Sequence, residues 1–281
     1  MLHAGALYRG SSNRYTARQF TLKGHTLMCF AYDALPPHPP VAGGAADSED
    51  LLLESADGTK FLAFGARAVQ PNGAGIVVLP DVRGIFPFYE ELALRFAEQG
   101  VNACTIDYFG RTAGTDERPE DFAFMEHVAK TKPDQIAADV AAGVAWLRSP
   151  AGGSCTSIFT VGFCFGGSNS WNQAANGHGL KGVIGFYGHP TRSMGEAPAV
   201  IDRVAQFECP VVALMGGADP MITADVVGQF KDAMDAHGIE NEVKIYDGAP
   251  HSFFDRSFEE HKDACDDAWM RMIAFIGAKK D

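Results

Sequence analysis

The sequence predicts an α/β fold: a mostly parallel sheet covered by helices on both faces. Three observations carry this. Short continuous apolar runs, of the kind found in strands buried on both sides, alternate with stretches of helical periodicity. Chemistry-bearing residues follow directly after the apolar runs, where open parallel sheets place their ligands. The chain has 281 residues, 46% of them hydrophobic, enough to bury one large core, so a single catalytic-sized domain is expected.

Residues 1–49 are the least patterned part. Leu35-Pro36-Pro37-His38-Pro39-Pro40, followed by Gly43 and Gly44, is excluded from helix and central strand because proline fixes φ and removes a donor. The expectation is an N-terminal arm ending in a Pro-rich surface linker, with a strand pair between Gln19 and Asp33, and a domain over residues 50–281. Leu51 to Ser55, the Asp57-Gly58 turn and Phe61 to Val69 read as an antiparallel hairpin. Ala74 to Leu79 is a buried strand. A helix follows with Phe88, Tyr89, Leu92, Ala93 and Phe96 on one face, Pro87 in its first turn and Gly100 at its end. Val101 to Ile106 is a strand, and Pro133 to Arg148 a helix burying Ile136, Val140, Val144 and Leu147. Strands follow at Ser157 to Phe163, Gly182 to Tyr187, Val211 to Met215 and Glu242 to Tyr246. Further helices run over about Thr223 to Ala236 and Phe258 to Ile276, the last turning Cys265, Ala268, Trp269, Met272 and Ile276 inward. The polar stretch Thr112 to Lys132 reads as a loop and short helix over the pocket.

The organising motif is Gly162-Phe163-Cys164-Phe165-Gly166-Gly167, a strand that turns sharply into a helix. Glycines two before and two after a nucleophile leave room for neighbouring backbone, and the helix N-terminus favours a thiolate. Asp219, in Gly216-Gly217-Ala218-Asp219-Pro220, and His251, in Gly248-Ala249-Pro250-His251-Ser252, follow later strands. Thiol, acid and imidazole therefore arrive in the chain order of α/β-hydrolases.

With these three motifs in that order, the chain from about Leu51 onward resembles the dienelactone hydrolase family. The resemblance implies an α/β-hydrolase fold and hydrolysis of a lactone or small ester through a Cys-His-Asp triad, without cofactor or metal. Cys164 would attack, His251 would relay the proton and Asp219 would orient the imidazole. The backbone N–H groups of Phe165 and Val82 would form the oxyanion hole. Asp81 matches an acid beside the thiol, and Arg111, more than Arg83, a cation for a substrate carboxylate. Two departures stand out: residues 1–49 lie outside the resemblance, and the family's arginine four residues after the histidine is Asp255 here, with Arg256 one place later.

Each role has a plainer competitor. Cys164 could be a small buried residue. His189 in Gly188-His189-Pro190 rivals His251, Asp219-Pro220 is also a common turn initiator, and Asp81 could be an ordinary loop carboxylate. Arg111 could pair with a nearby acid such as Asp116 or Glu117.

A net charge of −12 argues against nucleic acid or an anionic membrane surface as partner. Cys29, Cys104, Cys155, Cys164, Cys209 and Cys265 show neither a disulfide framework nor zinc spacing, consistent with a reducing compartment. No apolar run is long enough to span a membrane, and no leader segment is recognisable. The expectation is a cytoplasmic hydrolase, monomeric or a small homo-oligomer, acting on a small-molecule ester or lactone. The competing functions are a non-catalytic ligand-binding protein on the same fold and a redox-reactive thiol protein, with Cys29, Cys104 or Cys209 as a resolving thiol.

Overall fold

The computed structural model describes residues 33–40, 45–116, 118–119, 121–193, 198–255 and 259–280. Eight strands form one sheet: β1 (Ala45–Glu54), β2 (Lys60–Ala68), β3 (Ala74–Leu79), β4 (Asn102–Ile106), β5 (Ser157–Phe163), β6 (Gly182–Phe186), β7 (Val211–Gly216) and β8 (Asn241–Tyr246). Their order is β1-β2-β4-β3-β5-β6-β7-β8. β1 and β2 pair antiparallel, as do β2 and β4, and every other neighbour pair is parallel.

The helices are α1 (Pro87–Glu98), α2 (Gly110–Ala113), α3 (Phe124–Val128), α4 (Pro133–Arg148), α5 (Phe165–Asn172), α6 (Ala224–Ala236) and α7 (Lys262–Lys279). Because side chains alternate across a strand, β3 feeds two cores. Ile76 and Val78 join the larger one with α1, α5, α6 and α7, while Val77 and Leu79 join the smaller one with α4. The apolar faces expected on α1, α4 and α7 are buried as the periodicity requires. Thr223 caps α6, its hydroxyl accepting the Val226 N–H at 3.4 Å.

Two expectations about the N-terminal region are corrected. The hairpin does not begin at Leu51: β1 starts at Ala45 and pairs with β2 from Ala68, so the last residues assigned to the arm belong to the sheet. Asp47, Glu49 and Asp50 give that edge no apolar alternation to read. The ladder and the Arg67 ion pairs to Asp47 (2.6 Å) and Glu49 (2.8 Å) hold it instead. Nor is the Pro-rich segment a surface linker, since Ala34, Pro36 and Pro37 are buried and the His38 ring lies 5.2 Å from that of Trp269. Proline has no N–H to leave unsatisfied, so such a segment packs on apolar surface without a sheet partner. Leu35, which does have a donor, gives it to Asp255 Oδ1 at 3.1 Å. The strand pair expected over Gln19 to Asp33 falls outside the described residues save for Asp33.

Candidate active site

Cys164 stands between β5 and α5 with φ 55° and ψ −112°, a conformation that costs an ordinary residue energy and persists only where its surroundings impose it. The glycines explain how they impose it. A Cβ on Gly162 would meet Gly166 O at 1.9 Å, and one on Gly166 would meet Leu79 O at 2.1 Å, so β5, α5 and the end of β3 approach closer than any side chain allows. The Cys164 N–H donates to Phe186 O (3.0 Å), and Trp171 on α5 donates to Val212 O (3.0 Å), locking the helix across β6 and β7. Cys164 itself is partly exposed.

Asp219, on the loop after β7, accepts the Met221 and Ile222 N–H groups on Oδ1 (2.8 and 3.2 Å). Its Oδ2 accepts from His251 Nδ1 at 2.5 Å. Burial alone would raise the Asp219 pKa, but these hydrogen bonds, His251 foremost, hold it below the usual carboxylate range. Burial alone would lower the imidazole, yet the Asp219 hydrogen bond and the neighbouring Cys164 sulfur outweigh it and raise His251 to about 9. His251 Nε2 is buried and makes no conventional hydrogen bond among the described residues. The Cys164 sulfur nevertheless lies close enough to the ring to shift its titration. The rival imidazole, His189, also feels the Asp219 charge, but burial and Arg192 lower its pKa. Its Nδ1 has no partner among the described residues, and the Asp219 carboxylate is bonded to His251 instead.

The loop Pro80–Gly84 after β3 is a turn closed by Gly84 N–H to Asp81 O (3.2 Å), which leaves the N–H of Val82 outside the turn's own bond. Two buried phenols fix this loop: Tyr89 accepts the Asp81 N–H at 2.9 Å, and Tyr108 donates to Pro80 O at 2.7 Å. The N–H of Phe165 opens α5, where no intrahelical acceptor exists. Tyr187 packs its ring 4.9 Å from that of His251. Cys164, Tyr187 and Ser252 are three of the four non-glycine positive-φ residues described, so backbone strain concentrates around the thiol and the imidazole.

Sequence reasoning missed these tyrosines as positioning groups. Tyr89 was legible only as part of an apolar face, and the available signal was a buried hydroxyl that needs a partner. It also missed Arg118, whose guanidinium gathers Ala113 O, Gly114 O and Asp116 O and pairs with Asp107 Oδ2 at 2.9 Å, tying the end of α2 to the loop after β4.

The expected substrate-binding residues are placed otherwise than anticipated. Arg111 is committed to Asp57 (2.9 Å) and Asp139 (2.7 Å), bracing the hairpin turn against α4, so the salt-bridge alternative holds with different acids from those expected. Ser55 adds a hydroxyl hydrogen bond to the same Asp139. Asp81, expected beside the thiol, grips Arg83 with both oxygens, accepting Nε at 3.1 Å and Nη2 at 2.6 Å. Asp255 holds the arm through Leu35, and Arg256 lies outside the described residues.

Residues 61–279 match the dienelactone hydrolase family. The chain belongs to that family. It is similar to a protein of Escherichia coli K12 provisionally named a carboxymethylenebutenolidase, 28% identical over 79% of this chain and 85% of that one. A Bradyrhizobium protein provisionally named a 2-oxo-3-(5-oxofuran-2-ylidene)propanoate lactonase is 27% identical over 78% of this chain and 90% of its own length. The crystal structure of a dienelactone hydrolase assigned in Klebsiella pneumoniae superposes with a TM-score of 0.74 at 25% identity, covering 82% of this chain and 98% of that one. This dienelactone hydrolase family member is therefore a hydrolase with the α/β-hydrolase fold. None of its described helices is long and apolar enough to cross a membrane.

Proposed function

We propose that the protein hydrolyses a small ester or lactone through a thioester on Cys164. The observation that carries this reading is the 2.5 Å hydrogen bond from His251 Nδ1 to Asp219 Oδ2, on an imidazole whose titration also responds to the Cys164 sulfur. With its pKa near 9, His251 holds a proton at neutral pH, which suits a resting thiolate–imidazolium pair. The thiolate attacks the carbonyl carbon, and the oxyanion is met by the N–H groups of Phe165 and Val82. The C–O bond then breaks as His251 gives its proton to the departing alkoxide. For a lactone, the alkoxide remains tethered to the acyl group. A water, deprotonated by His251, attacks the thioester and releases the carboxylic acid, restoring thiolate and imidazolium. Asp219 keeps Nδ1 protonated and the ring oriented throughout.

The thioester is the testable element. Rapid acid quench during turnover of a slow aryl ester should give a mass increment of one acyl group on the peptide carrying Cys164. Hydrolysis without such an adduct, retained in Cys164→Ala, would overturn the proposal.

A further inference from the structure

Three arginines follow the carboxyl ends of β3 and β4, on the same edge of the sheet as Cys164: Arg83, Arg111 and Arg118. Each already holds a carboxylate of this chain, Arg83 and Arg111 through two nitrogens and Arg118 through one, its Nε having no hydrogen-bond partner among the described residues. Arg83 is closed by both oxygens of Asp81, and its guanidinium lies 4.1 Å above the Phe86 ring. Arg118 is paired with Asp107 at 2.9 Å, and its remaining terminal N–H groups go to three carbonyls. Its guanidinium lies 5.3 Å from the Phe122 ring centre. Arg111 is shared by Asp57 and Asp139. Three cations thus meet four carboxylates, and the side chains of Asp81, Asp107 and Asp139 are 1%, 0% and 1% exposed. A fifth carboxylate, Asp255, is fully buried four residues after His251.

A carboxylate on the substrate that displaced Asp81, Asp107 or Asp139 would leave it buried and unpaired, which is a large penalty. It would also approach a cluster that is net negative. An uncharged substituent need displace none of these carboxylates; the space that Arg83 and Arg118 share with Ile85, Phe86, Phe122 and Phe124 is only about 20 Å³. We propose that internal carboxylates, Asp81 on Arg83 above all, occupy the anion forks of the described arginines after β3 and β4, so that the enzyme selects uncharged esters or lactones and discriminates against carboxylate-bearing ones. This deepens the proposed function, since it names a substrate class for the same site.

Two measurements test it. The first is kcat/KM for phenyl methyl succinate and its half-acid, monophenyl succinate. The neutral member should be favoured by at least ~10-fold. Asp81→Asn, which keeps the shape and removes the charge, should shift the ratio toward the acid by at least ~5-fold, and Arg83→Met in the same chain should cancel that shift. Asp107→Asn, unmasking Arg118, is the second variant should Asp81→Asn misfold. The second measurement needs no hydrolysis: the rate of Cys164 alkylation by iodoacetate relative to iodoacetamide, each normalised to a small free thiol. Asp81→Asn should raise that ratio by at least ~5-fold. If no ester is turned over, the proposed function fails, while the alkylation ratio still decides the present inference. Preference for the half-acid in the wild type overturns it, and loss of that preference in Arg192→Ala would assign carboxylate recognition to the loop after β6. Unchanged ratios in the folded Asp81 and Asp107 variants overturn it equally.

Discussion

Asp219→Asn isolates what the carboxylate does for His251. In the wild type the imidazole titrates at about 9, against an ordinary 6.5, although burial pulls the other way. Asparagine keeps an oxygen for the Met221 and Ile222 N–H groups but removes the charge that Nδ1 faces at 2.5 Å. The Cys164 contribution and the opposing effect of burial both remain, and a return to the ordinary 6.5 is the expected shift. At about pH 8 the protonated fraction then falls from about 0.9 to about 0.03, whereas at about pH 6 it stays above about 0.7. The variant should thus lose up to roughly 20-fold more activity at pH 8 than at pH 6, on top of a pH-independent loss from the freed ring. The assay is kcat/KM for one neutral aryl ester from pH 5.5 to 10, with stability checked at each pH. A descending limb at the same pH in both proteins would refute the reasoning, because the imidazole's proton would then not depend on Asp219.

Other outcomes follow from the same geometry. Cys164→Ala should lower ester hydrolysis by at least ~10³-fold with little change in Tm, since the side chain faces the pocket. Iodoacetamide should modify Cys164 first among the five described cysteines, read by peptide mapping, because burial pushes Cys104, Cys209 and Cys265 to about 12 and also raises Cys155. The folded pKa of His251 lies above the unfolded value, so its stabilising contribution is complete below about pH 6.5 and is lost as the pH rises through about 9. The Tm difference between wild type and His251→Gln should shrink across that window. Arg111→Met should destabilise the fold by about 3 kcal/mol in urea unfolding, because it strands buried Asp139. It should leave the neutral-to-acid substrate ratio within twofold. Gly166→Ala should not yield folded protein, its new methyl being 2.1 Å from Leu79 O and 2.2 Å from Pro80 O.

How much was legible in the sequence follows from where each signal is stored. β5 and α4 have the bounds that periodicity assigns them, and α7 buries the residues expected, because burial on fixed faces writes itself into residue order. The turn at Cys164 was legible for a different reason: backbone packed this closely tolerates only glycine, so the requirement appears as a local pattern. β1 left no such trace. It is an edge strand with charged residues toward solvent, and what fixes it is a backbone ladder that any sequence can make. The buried prolines misled because their composition signals a break in regular structure without saying whether the broken segment is covered.

The charged residues show the deeper limit. That Arg83 and Arg111 stand on the catalytic edge of the sheet follows from counting along the chain, and so does their capacity to hold a carboxylate. Whether that capacity is free depends on partners 2 residues away for Arg83, and 54 and 28 away for Arg111. No spacing rule links Arg111 to Asp57 and Asp139; only the folded sheet brings the β1–β2 turn and α4 to the same guanidinium. Likewise Asp255 reads as a lost cation until Leu35 appears as its partner across 220 residues. Reaction type, which rests on a few groups held by local backbone, is therefore written along the chain. Substrate charge preference rests on whether ion pairs such as Asp81–Arg83 are closed, and it becomes readable only once the folded structure shows them full.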